Sequence, residues 1–188
     1  LPVPGLSPVA SFFLLWSQRL FPVTVWIRKP EEFDYVVEPD VFHDLFGHVP
    51  LLFNPMFADY MQAYGAGGLK ASRLESCEYL ARLYWYTVEF GLIDTPAGLR
   101  AYGAGILSSA GELQLSVTSG VPQRLGFDLE RIMRTRYKID SYQASYFVVD
   151  SFRQLFEATA PDFTPVYEWV SRLGELGADE RLVTDRTR

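Results

Sequence analysis

A mainly helical fold with small β elements, of the α+β class, is what this sequence predicts. Three observations carry the prediction. Segment 72–91, SRLESCEYLARLYWYTVEFG, reads as one long helix, opened by a capping-box-like Ser72 and Glu75 and closed at Gly91. A second apolar helical pattern begins after Asp40, a plausible N-cap behind Pro39, and stops at Pro50. Strand-type patterning is confined to FPVTVWIRKP (21–30), bounded by prolines, and to a brief alternation around Ser119-Gly120 within 111–127 that suggests a hairpin.

The remaining elements follow in order. Segment 8–20 reads as a short amphipathic helix after the Pro/Gly-rich entry LPVPGLSP. NPMFADYMQAYGAGG (54–68) reads as a helix capped by Asn54 and closed by its glycines. TPAGLRAYGAGI (95–106) carries a short helix and a glycine-rich turn. Two further helices are expected near 128–135 and 150–172, the second broken at Pro161. Repeats, low-complexity tracts and linkers are not found, so residues 1–188 read as a single catalytic-size domain with a real core.

Composition narrows the function classes. A net charge of −6 argues against nucleic acid or an anionic membrane as partner. The one basic run, RIMRTRYK (131–138), reads as a solvated helix face. VASFFLLW (9–16) is too short to span a bilayer and lacks the flanks of a signal peptide. The single cysteine, Cys77, cannot form an internal disulfide, which fits a cytoplasmic protein. The chain opens without methionine, and the expectation is that the start of a longer protein is missing.

The chain holds two histidines, both within EPDVFHDLFGHVPLL (38–52). On an ideal helix His43 and His48 point about 140° apart, since each residue turns roughly 100°. They can share a metal only if the helix is locally distorted, which Gly47 and Pro50 make easy. The plainer alternative is two unrelated histidines, one buried and one exposed. Glu89 shifts the balance. It continues the Cys77, Ala81, Trp85 stripe at i+4 steps, where a carboxylate is expensive to bury unless neutralised. Arg82 is one candidate to neutralise it and a divalent metal is the better one. Two imidazoles and a carboxylate make a facial triad with open positions. The same set holds catalytic zinc in some hydrolases, with Asp44 standing where their glutamate base would be. The aromatic surroundings, Phe42, Phe46, Tyr84, Trp85, Tyr86 and Phe90, favour iron and oxygen chemistry on an aromatic substrate.

EPDVFHDLFGHVPLL, FADYMQAYG, LARLYWYTVEFGLI and YGAGILSSAGE together resemble the pterin-dependent aromatic amino acid hydroxylases, closest to the short bacterial phenylalanine hydroxylases. The likeness runs from about Gly5 to Phe152. It implies the family's basket-like catalytic fold and a non-haem iron(II) monooxygenase that uses a tetrahydropterin such as tetrahydrobiopterin. Dioxygen is split between the pterin and the para position of L-phenylalanine, giving L-tyrosine. His43, His48 and Glu89 match the family's iron ligands, the catalytic centre. Arg28 matches the arginine that grips the substrate carboxylate, a task suited to its planar fork; an ion pair with Glu31 or Glu32 is its other reading. Ser108, Ser109 and Glu112 match the polar end of the substrate pocket, and Trp85 matches a ring-facing wall that leans towards phenylalanine. Phe12 matches the residue stacked on the pterin, Gly5 and Leu6 the loop that holds its ring, and Asp44, Ala81 and Tyr84 the rest of that wall.

The sequence departs from the family at Ala110, where a bulkier residue is expected, and at Val36-Val37, which replace a Thr-Pro pair. Family catalytic domains carry more chain before the point where this one begins, which would put the pterin loop near residue 5 at a fraying end. A monomer is expected. Alternative readings are a tryptophan hydroxylase of the same family, an inactive or truncated metal-binding paralogue, and a zinc hydrolase.

Overall fold

Small residues let the helices approach closely, and a β-branched and aromatic run, SYFVV, supplies the strand around which the sheet forms. The computed structural model describes residues 1–5, 7–33 and 38–188. A two-residue strand β1 (Pro2–Val3) leads into helix α1 (Val9–Ser17) and then β2 (Val23–Thr24), which pairs parallel with β1. After a 3₁₀ turn at Pro30–Glu32 comes a π-helical segment, His43–His48, continued by α2 (Val49–Leu52). Helix α3 (Pro55–Arg73) follows, capped as expected by Asn54, whose Oδ1 accepts the N–H groups of Met56 and Phe57.

The expected 72–91 helix does not form as one piece. Ser72 lies inside α3, the chain breaks at Leu74–Ser76 with Glu75 at φ 53°, and α4 (Cys77–Tyr84) starts afresh. Ser72 bonds back to Gly68 O, so the expected capping box is absent. A second π-helical segment, Trp85–Glu89, continues α4.

Residues 95–106 also differ from expectation. β3 (Leu92–Thr95) and β4 (Gly98–Ala101) form an antiparallel hairpin, its turn using Gly98 at φ 94°, before α5 (Ala104–Leu107). The hairpin expected at Ser119-Gly120 is instead the end of helix α6 (Ala110–Thr118), followed by β5 (Gln123–Gly126). Then come α7 (Leu129–Arg134), β6 (Ser145–Val149), α8 (Phe152–Thr159) and α9 (Thr164–Leu173), the last two separated near Pro161 as read from the sequence.

The larger sheet runs β4-β3-β6-β5, with β6 parallel to both neighbours and buried at every residue. Helices α3, α4 and α8 pack a core of Phe57, Tyr60, Met61, Leu80, Leu83 and Leu155. Arg131, expected on a solvated face, is 5% exposed, ion-paired to Asp185 and bonded to Thr135. This pair ties α7 to the carboxy-terminal tail. Thr187 bridges Leu125 on β5 and so covers the open edge of the sheet.

Helix α1 reaches its place because α3 presents Gly65 and Gly68 to it. A Cβ on Gly65 would lie 2.3 Å from Ser17 N, a backbone atom that cannot swing aside. Gly65→Ala is therefore expected to destabilise the protein by about 1–3 kcal/mol, seen as a lower urea midpoint with an unchanged m-value. An unchanged midpoint would show that the α1–α3 contact is looser than described.

Candidate metal centre and its cavity

Asp40 starts the site-bearing segment. Its Oδ1 accepts the N–H of His43, the capping bond expected at this residue. From there the helix winds with i+5 bonding: Val49 N–H reaches Asp44 O, and on the facing segment Phe90 N–H reaches Trp85 O at 2.8 Å. A π-turn places residues five apart close to one face. This resolves the 140° problem, since His43 and His48 converge where an α-helix would have splayed them. The facing π-segment carries Glu89 to the same point.

His43 Nε2 lies 3.1 Å from His48 Nε2, while Glu89 Oε2 is 3.4 Å from His43 Nε2 and Oε1 is 3.2 Å from His48 Nε2. Donors that share an ion with bonds of about 2.0–2.2 Å sit roughly 3 Å or a little more from one another. The three donors thus fit a single metal ion, and among the described residues they form the cluster able to hold one. Ser108 Oγ lies 2.8 Å from His43 Nδ1. A proton on Nδ1 donated to that oxygen leaves the Nε2 lone pair directed at the cluster. Burial pushes the His43 imidazole below its ordinary value, partly offset by Glu89, so it stays neutral and ligand-competent near neutral pH. Burial pushes Glu89 up, but His48, His43 and a bond from Tyr84 outweigh it and hold the carboxyl at about 2. Arg82, the other candidate to neutralise Glu89, is engaged elsewhere, with Glu175 and Met133 O.

The cluster opens into a cavity of about 650 Å³. Gly5, Phe12, Asp44, Ala81, Tyr84, Trp85, Ser108, Ser109 and Glu112 all line it. Phe12 meets Tyr84 edge-on at 5.5 Å. Asp44 Oδ2 accepts both the N–H and the hydroxyl of Thr24, a link between β2 and the π-segment not read from the sequence. Trp85 stacks on Tyr137 at 4.4 Å and donates its indole N–H to Gln143, and neither partner was singled out from the sequence. Burial pushes the Glu112 carboxyl up, against bonds from Tyr146 and the Gln143 N–H. Leu6 and Val36-Val37 lie outside the described residues.

Arg28 is not among the cavity-lining residues. It sits just behind them, its side chain 1% exposed, paired to Asp40 rather than to Glu31 or Glu32. Nε and Nη2 engage both oxygens of Asp40, and Nη1 donates to the carbonyl of Ser108, which does line the cavity. A surface ion pair was the wrong alternative because Asp40, needed as a cap, also lies within reach of the fork. Burial pushes the Asp40 carboxyl up, and hydrogen bonds from Arg28 and the His43 N–H outweigh it, holding it at about 2.

Fold and cluster together define a class: a helical basket with a two-histidine, one-carboxylate centre open to an aromatic cavity. The comparisons narrow it. The family described as biopterin-dependent aromatic amino acid hydroxylase matches residues 1–164, and the chain belongs to that family. It is 62% identical over 178 residues to a phenylalanine-4-hydroxylase of Ralstonia nicotianae, covering 95% of this chain and 57% of the relative. It is 65% identical over 178 residues to one of Chromobacterium violaceum, covering 95% of this chain and 60% of the relative. The chain thus spans under two thirds of the length of these relatives. The solved phenylalanine hydroxylase of C. violaceum bound to cobalt superposes with a TM-score of 0.96 at 59% identity, covering 100% of this chain and 68% of that one.

Two outcomes are expected. Ser108→Ala removes the bond that orients His43, so cobalt(II) affinity should fall about 10–100-fold with an unaltered circular dichroism spectrum; equal affinity would mean the hydroxyl orients nothing. Asp40 is depressed below its unfolded value near 3.8, so its stabilisation is complete above that pH and is lost as pH falls towards about 2. Asp40→Asn should flatten the rise of stability between those limits in urea titrations, and a parallel rise in both proteins would contradict the assignment.

Proposed function

We propose that this chain forms the catalytic basket of an iron(II), tetrahydropterin-dependent monooxygenase that converts L-phenylalanine to L-tyrosine. The observation that carries the reading is the convergence of His43, His48 and Glu89 from two π-turns at an aromatic cavity, in a chain of this family. The similarity to named phenylalanine-4-hydroxylases supports the substrate. The cobalt-bound relative supports a divalent metal, and iron(II) is proposed for it because a two-histidine, one-carboxylate triad with open positions suits a non-haem iron oxygenase.

His43, His48 and Glu89 would hold the iron, and Tyr84 steadies Glu89. When bound, ferrous iron and tetrahydropterin supply the activation of dioxygen. The protein's part is positioning. Phe12, Ala81 and Tyr84 offer a wall with aromatic character for a flat pterin ring, with Gly5 at its edge. The Trp85–Tyr137 stack, both of whose residues line the cavity, offers an aromatic surface for the substrate ring. Ser108, Ser109 and the buried cation of Arg28 behind them give the carboxylate of an amino acid its polar end.

The zinc hydrolase reading is disfavoured by the family to which the chain belongs. Asp44, where such an enzyme would have its base, spends Oδ2 on two bonds from Thr24 that hold β2 to the π-segment. Cytoplasmic location and a monomeric state are proposed with the function; no helix among the described residues is long and apolar enough to cross a membrane.

The test is direct. Protein loaded anaerobically with ferrous iron, then given tetrahydropterin, dioxygen and phenylalanine, should form tyrosine, while Glu89→Ala should lose at least 10²-fold in rate. Iron bound by the parent with pterin oxidation but no tyrosine would overturn the substrate. No pterin-dependent oxygen consumption at all would overturn the reaction class.

A further inference from the structure

Gln143 stands at the junction of three walls of the cavity, although it does not line it. It is 3% exposed, and its hydrogen-bonding capacity is nearly all in use. Its Oε1 accepts the indole N–H of Trp85 at 2.9 Å. Its Nε2 donates to Lys138 O at 3.0 Å and Ser141 O at 3.3 Å, closing the loop between α7 and β6 on itself. Its backbone N–H donates to Glu112 Oε1 at 3.0 Å, anchoring that loop to α6. The same loop carries Tyr137, stacked on Trp85 with planes 16° apart, and Ile139, which lines the cavity.

The contacts with Tyr137 and with Phe90, at 4.7 Å, favour certain offsets, but too weakly to fix the rotation of the indole in its own plane. A linear N–H bond to a side chain that is itself held at both ends removes that freedom. Met or Leu at 143 would fill a similar volume yet leave a part-buried indole N–H without its protein partner. The demands on this residue are an acceptor towards Trp85 and donors towards two carbonyls, which glutamine meets and its apolar isosteres do not.

We infer that Gln143 is a positioning residue for the substrate ring, acting through Trp85 by fixing the plane and offset of its indole within the aromatic wall. The inference rests on the proposed phenylalanine site. Loss of the bond leaves the metal cluster intact, since Gln143 touches none of its three residues. It loosens the wall, so phenylalanine binds more weakly and its preference over tryptophan narrows.

The experiment is a double-mutant cycle with Gln143→Met and Trp85→Phe, read by calorimetric phenylalanine affinity and by the indole resonances of ¹⁵N-labelled protein. Gln143→Met should weaken phenylalanine binding by roughly three- to tenfold in the parent, the effect of one part-buried hydrogen bond. In the Trp85→Phe background, where no indole N–H exists, the same change should have under about twofold effect. The Trp85 resonance, assigned by its absence in Trp85→Phe, should shift in Gln143→Met and exchange faster with solvent, while cobalt(II) affinity stays at the parent value. Equal losses in both backgrounds, or an unmoved resonance, would overturn the proposal. If the parent binds no phenylalanine, the substrate reading falls, and the indole resonance still decides whether Gln143 holds Trp85. Should Gln143→Met fail to fold, indole exchange in the parent decides: slow exchange of Trp85 supports the bond, and exchange at the rate of free indole overturns it.

Discussion

Two stretches of π-helix set the rest of the site. A largely buried carboxylate, 13% exposed, and two buried imidazoles are unfavourable company for an aromatic core unless they meet one another, and an α-helical path would hold His43 and His48 on different faces. The i+5 winding over His43–His48 and Trp85–Glu89 removes that obstacle on both sides of the cluster. Such bulges give up regular hydrogen bonding, so they persist where surrounding structure holds them in place. Here the holding is visible: Asp40 caps one segment, Thr24 pins Asp44 within it, and Gly47 lies so close to Ala104 that a Cβ would sit 2.7 Å from the alanine's own.

Arg28 and Asp40 extend the same logic outward. One carboxylate caps the π-segment and at the same time neutralises a guanidinium that reaches the carbonyl of Ser108. Ser108 in turn lies against His43. Metal centre and polar end of the cavity are therefore built on one continuous set of hydrogen bonds, and a change at Asp40 is felt at both. A lone buried ion pair is a weak source of stability, but this one orients two functional groups.

Much of the site could be read from residue chemistry. Two histidines in one short segment, and a carboxylate on an apolar stripe, sufficed to select His43, His48 and Glu89. Helix ends announced by Asn54 and Pro161 also appear where expected, whereas the end expected at Pro50 does not: the helix runs on to Leu52, because Pro50 falls in the first turn after the π-segment, where its missing N–H costs little. The π-turns were not legible, because hydrophobic periodicity reports an average twist and not a single extra residue within a turn. The β3–β4 hairpin was missed because TPAG reads as readily as a helix start as a strand turn; the positive φ of Gly98 decided it. The break before α4 places Glu75, not a glycine, in the left-handed region, against its local preference. Arg131 looked like a solvated charge since its partner, Asp185, lies 54 residues away. Long-range pairs of this kind, Gln143 with Trp85 among them, leave no local trace in a sequence.

The central claim is that His43, His48 and Glu89 jointly hold one divalent ion. Crystals grown with cobalt(II) and measured at the cobalt absorption edge test it most directly. The account predicts one strong anomalous peak among the Nε2 atoms of both histidines and the carboxylate of Glu89, at about 2.0–2.3 Å from each, and its disappearance in Glu89→Ala. A peak bound by only one of these residues, or cobalt confined to surface carboxylates, would contradict it.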